Sequence, residues 1–200
     1  MQPLPVRFLG ALVACAVSAL PLGAEANLTK QDAARFQTKL ATINKNALIP
    51  SSTAQNRATQ VTDAEVNSYL KYEAEIPVGI VEPTLNALGN GRVSGRALVD
   101  LDAVRQQKKR GWTDPLGYLT GMLPITASGV LTTKDGMGRF QLESAELSGV
   151  TVPKSLVQEL LSYYSRTKDN PSGINMDDPF ELPARIREIR VAQGTATIVQ

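Results

Sequence analysis

Asp100 and Asp102 stand two residues apart in ALVDLDAV, a spacing that puts both carboxylates on one face of a strand. Such a pair can ligate Ca²⁺ or supply the two carboxyl groups of a glycosidase. Arg92 and Arg96 fall on that same side, so a solvated outer sheet face accounts for the aspartates more simply. The other options for chemistry are few. With His 0, a His-based triad and a His metal site are both excluded. Lys154 and Ser155 are adjacent, so on a helix they point in different directions and form no Ser–Lys pair. Gly89-x-Gly91-x-x-x-Gly95 has the wrong spacing for a dinucleotide fingerprint and enters a strand, so it reads as a hairpin turn. Asp177-Asp178 before Pro179 reads as loop punctuation. No residue is predicted to be catalytic, and no cofactor or metal is implied.

Two basic sets remain. Arg105, Lys108, Lys109 and Arg110 lie beside Trp112. Cations near an anionic bilayer gain about 1 kcal/mol each, and Trp favours the membrane interface. This set is the candidate for docking on an anionic membrane surface; a solvated loop with Trp112 tucked into the core is the plainer alternative. Arg185, Arg187 and Arg190 read as an exposed strand edge that discourages strand addition. Neither set makes a nucleic-acid surface. Lys+Arg is 21 against Asp+Glu 19, a net charge of +2, and aromatic residues are only 5%.

The first residues predict export. Arg7 is followed by the apolar run FLGALVACAVSAL (8–20), then by Pro21, Gly23 and the small-x-small site Ala24-Glu25-Ala26. The run is shorter than the roughly 20 residues that span a bilayer. Residues 1–26 therefore read as a signal peptide, for a periplasmic or secreted protein of the cell envelope. Leu12-Val13-Ala14-Cys15 resembles a bacterial lipobox, so a lipoprotein anchored at Cys15 is the alternative. Cleavage after Ala26 would remove the one Cys, and with it any disulfide or thiolate chemistry.

Stepping along the chain gives the elements that would position any site. A helix is predicted over 28–45, with Thr29 as N-cap and Asp32 at N3. Ala33, Phe36, Leu40 and Ile43 form its apolar stripe. Residues 48–60 read as a linker. Thr62 and Glu65 form a capping box, with Val61 and Val66 as the hydrophobic staple, for a helix from about Asp63 to Ala74 that buries Val66, Tyr69 and Leu70. A hairpin follows over 81–104, turning at Gly89-Asn90-Gly91. A short helix is expected from Asp114-Pro115. A second hairpin spans about 123–148 with its turn at Lys134-Asp135-Gly136. On its return arm Phe140 and Leu142 share one phase, while Ala145 and Leu147 share the other; a β-bulge produces such a slip and bends the strand. A broad apolar helix over 153–166 and a hairpin over 186–199 complete the chain. No parallel crossover is needed. The predicted class is α+β: a curved antiparallel sheet of about six strands in three hairpins, with helices over its apolar face. Residues 27–60 would form an N-terminal helix and linker, and 61–200 the α+β domain.

VTDAEVNSYL, GNGRVSGRALVDLDAV, DPLGYLTGMLP, the return strand with Gly136, Gly138, Phe140, Leu142 and Glu143, and VPKSLVQELL together resemble YpmS-like exported bacterial proteins. More distantly the chain is similar to LmeA-like lipid-binding proteins with half-tubular sheets. The resemblance covers roughly 60–200. It implies a curved sheet around a helix, with an apolar groove for acyl chains and no catalytic residues. The expected lining is Val99, Leu101, Ile125, Phe140, Leu142, Leu156, Leu160, Tyr163 and Tyr164. Gly95, Ala97, Ala127 and Gly129 are small residues at inward positions. They leave room either for a lipid chain or for the Leu and Tyr side chains of the 153–166 helix. A non-enzymatic carrier of a lipid or other apolar ligand is thus one expectation. The other is a structural or protein-interaction module with a filled core.

Overall fold

The computed structural model describes residues 27–49, 57–107, 120–166 and 170–200. The predicted signal peptide, Cys15 and the helix expected from Asp114 lie outside the described residues. In chain order the elements are α1 (Lys30–Ala47), β1 (Ala58–Thr62), α2 (Asp63–Tyr72), β2 (Ile80–Gly89), β3 (Arg92–Asp100), α3 (Leu101–Gln107), β4 (Met122–Lys134), β5 (Met137–Leu147), β6 (Val150–Thr151), α4 (Lys154–Tyr164), β7 (Phe180–Glu181), β8 (Glu188–Ala192) and β9 (Thr195–Val199). The fold is α+β, and every strand pairing is antiparallel. The strands divide between two sheets. Six form one, in the order β2-β3-β4-β5-β6 with β7 also on β5; β1-β9-β8 form the other.

The predicted turns close the hairpins. Gly89, Asn90 and Gly91 all have positive φ (85°, 53° and 77°), which suits two glycines and the one side chain most tolerant of that region. Asp135 and Gly136 (φ 49° and 84°) make the two-residue loop between β4 and β5. The bulge also falls at the phase slip. Ser128 pairs with Ser144 and Gly129 with Leu142, so Glu143 is the extra residue. That insertion is what keeps Phe140, Leu142, Ala145 and Leu147 on one face.

Three local expectations are corrected. The strand predicted to run on to 104 ends at Asp100, whose Oδ1 accepts from the Asp102 and Ala103 amides, 3.0 Å each. Asp100 thus caps α3, and Asp102 lies in that helix rather than beside it on a strand. The end of the predicted linker is the start of β1, which has little apolar alternation of its own and takes its ladder from β9, far along the chain. Finally, α2 ends at Tyr72, and its deepest side chains are Glu65, Asn67 and Ser68, while Val66, Tyr69 and Leu70 are only half-buried.

The reason lies in where α2 sits. Asn67 Nδ2 donates to the Leu85 carbonyl (2.8 Å) and Leu85 N–H donates to Asn67 Oδ1 (2.7 Å). The Ala87 N–H donates to the Asp63 carboxylate (3.0 and 3.1 Å). The helix lies along the outer edge of β2 and closes its backbone hydrogen bonds with side chains, so polar groups must point inward. The other face of α2 meets α1: the Thr29 N–H donates to Ser68 Oγ (3.1 Å), and the Phe36 and Tyr69 rings lie 5.2 Å apart. Below α1, Ile43, Leu182 and Ile186 form a buried cluster, joined by Ile189 and Ile198 of the small sheet.

Candidate ligand-binding face

Antiparallel partners share a face, so the register defines the site. Val99 stands opposite Leu123, Ala97 opposite Ile125, Gly95 opposite Ala127 and Val93 opposite Gly129. The row continues onto β5: Ile125 meets Leu147, Ala127 meets Ala145, Gly129 meets Leu142 and Leu131 meets Phe140. Of the predicted lining, Val99, Ile125, Phe140 and Leu142 therefore share one apolar face. The expected lining left out Val93 and Leu123, which alternation along their strands already puts beside Val99 and Ile125, and also Leu85, Ala87 and Ala145, their partners across the ladders. Cross-strand register is the signal that adds these last three, and it requires knowing both hairpins at once.

The centre of this face is shallow. Ala97, Gly95, Ala127 and Ala145 step across three strands, roughly 10 Å at ordinary strand spacing. Val99, Leu123, Ile125 and Leu147 stand on one side of that band, and Val93, Leu131, Phe140 and Leu142 on the other. Phe140 lies over Gly129: a Cβ there would meet its Cζ at 2.6 Å and would collide with the Gln141 carbonyl. All eight flanking side chains are half-buried, and Leu85 is 48% exposed. No large side chain of the face is fully covered.

The remaining predicted residues lie elsewhere or only near it. Leu101 is buried at the start of α3, with its N–H donating to the Gly121 carbonyl (3.0 Å). It ends the strand and is not part of the face. Helix α4 lies against β5, with Leu156, Leu160 and Tyr163 half-buried. No described residue of α4 is buried, so the helix is not enclosed by the sheet as the sequence suggested. Its polar side chains tie it to its own return loop: Gln158 Nε2 donates to the Ile174 carbonyl (3.0 Å) and the Met176 N–H donates to Gln158 Oε1 (2.8 Å). The side chain of Tyr164 lies outside the described residues. So do the side chain of Arg105 and the whole of Lys108, Lys109, Arg110 and Trp112.

A cleft of about 1340 Å³ opens between α2 and β2–β3, lined by Asn67, Lys71, Glu82 and Arg96 among others and reaching Gly95 and Ala97 of the band. None of the predicted ligand-lining residues borders it. Two carboxyls of α2 titrate in opposite senses: Asp63, which lines the cleft, and Glu65, which faces Lys39 of α1. Burial raises Asp63 above the usual carboxylate range, and the Ala87 N–H only partly offsets this. Burial also opposes ionisation of Glu65. There the Lys39 ammonium (2.7 Å) and the Thr62 backbone N–H (2.9 Å) outweigh it and hold the carboxyl below its usual value.

Among the described residues no group of three or more His, Cys, Asp or Glu is placed to hold a metal ion. No described helix is long and apolar enough to cross a membrane. No protein-family model matches the chain, and no curated protein matches its sequence.

Proposed function

We propose that this chain is an exported, non-enzymatic binding protein that holds the acyl part of a lipid, or a similar apolar molecule, on the apolar face of the six-stranded sheet. The observation that carries the proposal is the half-exposed face itself, with its band of Ala97, Gly95, Ala127 and Ala145 between bulkier rows. A filled core would bury those rows; an extended alkyl chain lying along the band would cover them. Burial of apolar surface drives such binding at about 25 cal/mol per Å², before the costs of association. The sequence pattern that resembles YpmS-like and LmeA-like proteins, and the reading of residues 1–26 as a signal peptide, point the same way. On this view the basic run from Arg105 to Arg110, with Trp112, contacts anionic headgroups during loading or delivery.

The test is native mass spectrometry of the protein purified from its own host without detergent. Wild type should carry extra mass that is lost on denaturation and extracts into organic solvent. Ala127→Glu, on the floor of the band, should fly bare. Thr126→Glu, its neighbour on the polar face, should keep the ligand. A bare wild-type protein, or retention by Ala127→Glu, overturns the proposal; a protein partner that binds the wild type and is lost with Ala127→Glu would then favour the interaction module.

A further inference from the structure

The strand row outside β5 is interrupted in its middle. β6 pairs with Leu147 and Glu146, and β7 pairs with Gly138 and Met137, both antiparallel to β5. The two short strands thus run in one direction and occupy the two ends of a single row. Each is extended by one residue: the Val152 N–H donates to the Ala145 carbonyl (2.9 Å) and the Leu182 N–H to the Gly136 carbonyl (2.7 Å). Between them, opposite Arg139–Ser144, no described strand pairs with β5. The chain leaves the row at Pro153, which has no N–H to continue a ladder, and comes back after Pro179.

Backbone phase decides what faces this open row. Residues in an antiparallel ladder point alternately to either neighbour. The carbonyls of Gly136 and Ala145 already accept from the outer side. Counting by twos from Gly136 brings Gly138, Phe140 and Leu142 to that side, and the extra residue Glu143 restores the phase for Ala145. Phe140 and Leu142 therefore present two N–H groups and two carbonyls outward. The neighbouring Arg139, Gln141, Glu143 and Ser144 are exposed.

We propose that the open row accepts an extended peptide segment of another protein, about six residues long, added as a strand to β5. The flanking strands fix its direction, antiparallel to β5. The face fixes its pattern: apolar residues beside Phe140 and Leu142 alternate with polar residues beside Arg139 and Gln141. A second copy of this chain does not fit through its own β5. That strand runs from Met137 to Leu147, past both ends of the row, into positions held by β6 and β7. A peptide here makes main-chain bonds and needs no contact with the central band, so it can bind whether or not a lipid does.

The test is amide hydrogen exchange in ¹⁵N-labelled protein. In the free protein the Phe140 and Leu142 amides should exchange at least about tenfold faster than those of Arg139 and Gln141, which face β4. The probe acetyl-Val-Thr-Val-Lys-Val-Thr-amide, at millimolar concentration, should slow Phe140 and Leu142 by about tenfold and leave Arg139 and Gln141 unchanged. The same peptide N-methylated throughout should do nothing. Slow exchange at Phe140 and Leu142 in the free protein would mean the row is already closed, and overturns the proposal. Failure of the probe to protect them, equal protection by the N-methylated peptide, or protection that rises with protein concentration alone does so too. Ligand content, read by native mass spectrometry, tests the lipid proposal separately.

Discussion

Along β2, the Leu85 N–H and carbonyl meet the Asn67 amide at 2.7 and 2.8 Å, and the Ala87 N–H meets Asp63. The Gly194 N–H reaches the Ala87 carbonyl (2.8 Å), and Pro83 offers no donor at all. Along β5, the stretch Arg139–Ser144 has short strands at its two ends and no described strand between. A sheet edge is a template for further strands, so proteins normally cover or blunt it. Here one edge is closed by side chains from a helix, and the other carries a short strand at each end, α4 against it and a bulge at Glu143, with no described strand along its middle. A helix that lies beside β2 does not lie over the sheet, and the larger side chains of the apolar face are half-buried.

The largest effect should come from opening the closed edge. Asn67→Leu strips both partners from the Leu85 backbone, and each unsatisfied buried group costs about 1–3 kcal/mol. The expected loss is about 3 kcal/mol in urea denaturation, together with concentration-dependent self-association. The matched change on the other edge, Gln141→Leu, should stay within about 0.5 kcal/mol, because that side chain is exposed. Equal losses from the two would end the distinction between the edges.

Next is Gly129→Ala. The added Cβ meets the Gln141 carbonyl and the Phe140 ring, and overpacking of this kind costs about 1–3 kcal/mol. Backbone is one of the obstacles, so rotating Phe140 away cannot relieve it. Denaturation should show a loss of about 2 kcal/mol. The substitution should also speed exchange of the Phe140 amide's neighbours in the β4–β5 ladder while the β2–β3 ladder keeps its rates.

Much of this arrangement was legible in the residues. Turns and caps were readable because each depends on a few adjacent side chains: Thr62 with Glu65, Asp135 with Gly136. The bulge was readable because a change of phase between Leu142 and Ala145 has one cheap solution. The polar interior of α2 was not. Period and hydropathy assign Glu65, Asn67 and Ser68 to solvent, and nothing local says that a strand edge will lie there. β1 was missed for the same reason, since its partner β9 is more than a hundred residues away. At Asp100 alternation gives only a strand face; the helix cap was not legible, because it depends on two amides of α3 converging on one oxygen. On the candidate face the alternation identified Val99, Ile125, Phe140 and Leu142. Leu101 was misplaced by extending that alternation one residue beyond its strand.

A pH series separates the two carboxyls of α2, Asp63 at the β2 edge and Glu65 against Lys39 of α1. Glu65 has a folded pKa below its unfolded value, so its contribution is complete above the ordinary carboxylate range and is lost as pH falls through the folded value. The stability gap between wild type and Glu65→Gln should therefore shrink on acidification. Asp63 has a raised folded pKa, so the folded state takes up its proton first, and acidification into the ordinary range favours folding. Relative to Asp63→Asn, wild type should gain as pH falls. Urea titrations from pH 7 to about 3 measure both gaps. Parallel movement of the two would show that the Ala87 N–H outweighs burial at Asp63 and that its ionised form stabilises the fold.

The smallest effect bears on the open edge. Arg92 reaches across β4 to Glu143, the extra residue of the bulge, with Nη2 and Oε2 2.8 Å apart. Both side chains are substantially exposed, and exposed ion pairs contribute about 0–1 kcal/mol. If this pair positioned the bulge, Arg92→Ala would slip the register and turn Ala145 and Leu147 to the polar face. The apolar phase on each side of Glu143 already prevents that, because any other register exposes either Phe140 and Leu142 or Ala145 and Leu147. Arg92→Ala should therefore cost less than about 0.5 kcal/mol and leave the cross-strand contacts of Ala127 with Ala145 and of Gly129 with Leu142 intact by NMR. Deleting Glu143 removes the extra residue itself: Leu142 then directly precedes Ser144, so both contacts should persist while the bulge and its bend are lost. The contrast assigns the shape of the open edge to residue count along β5, not to the charge that happens to sit at its bend.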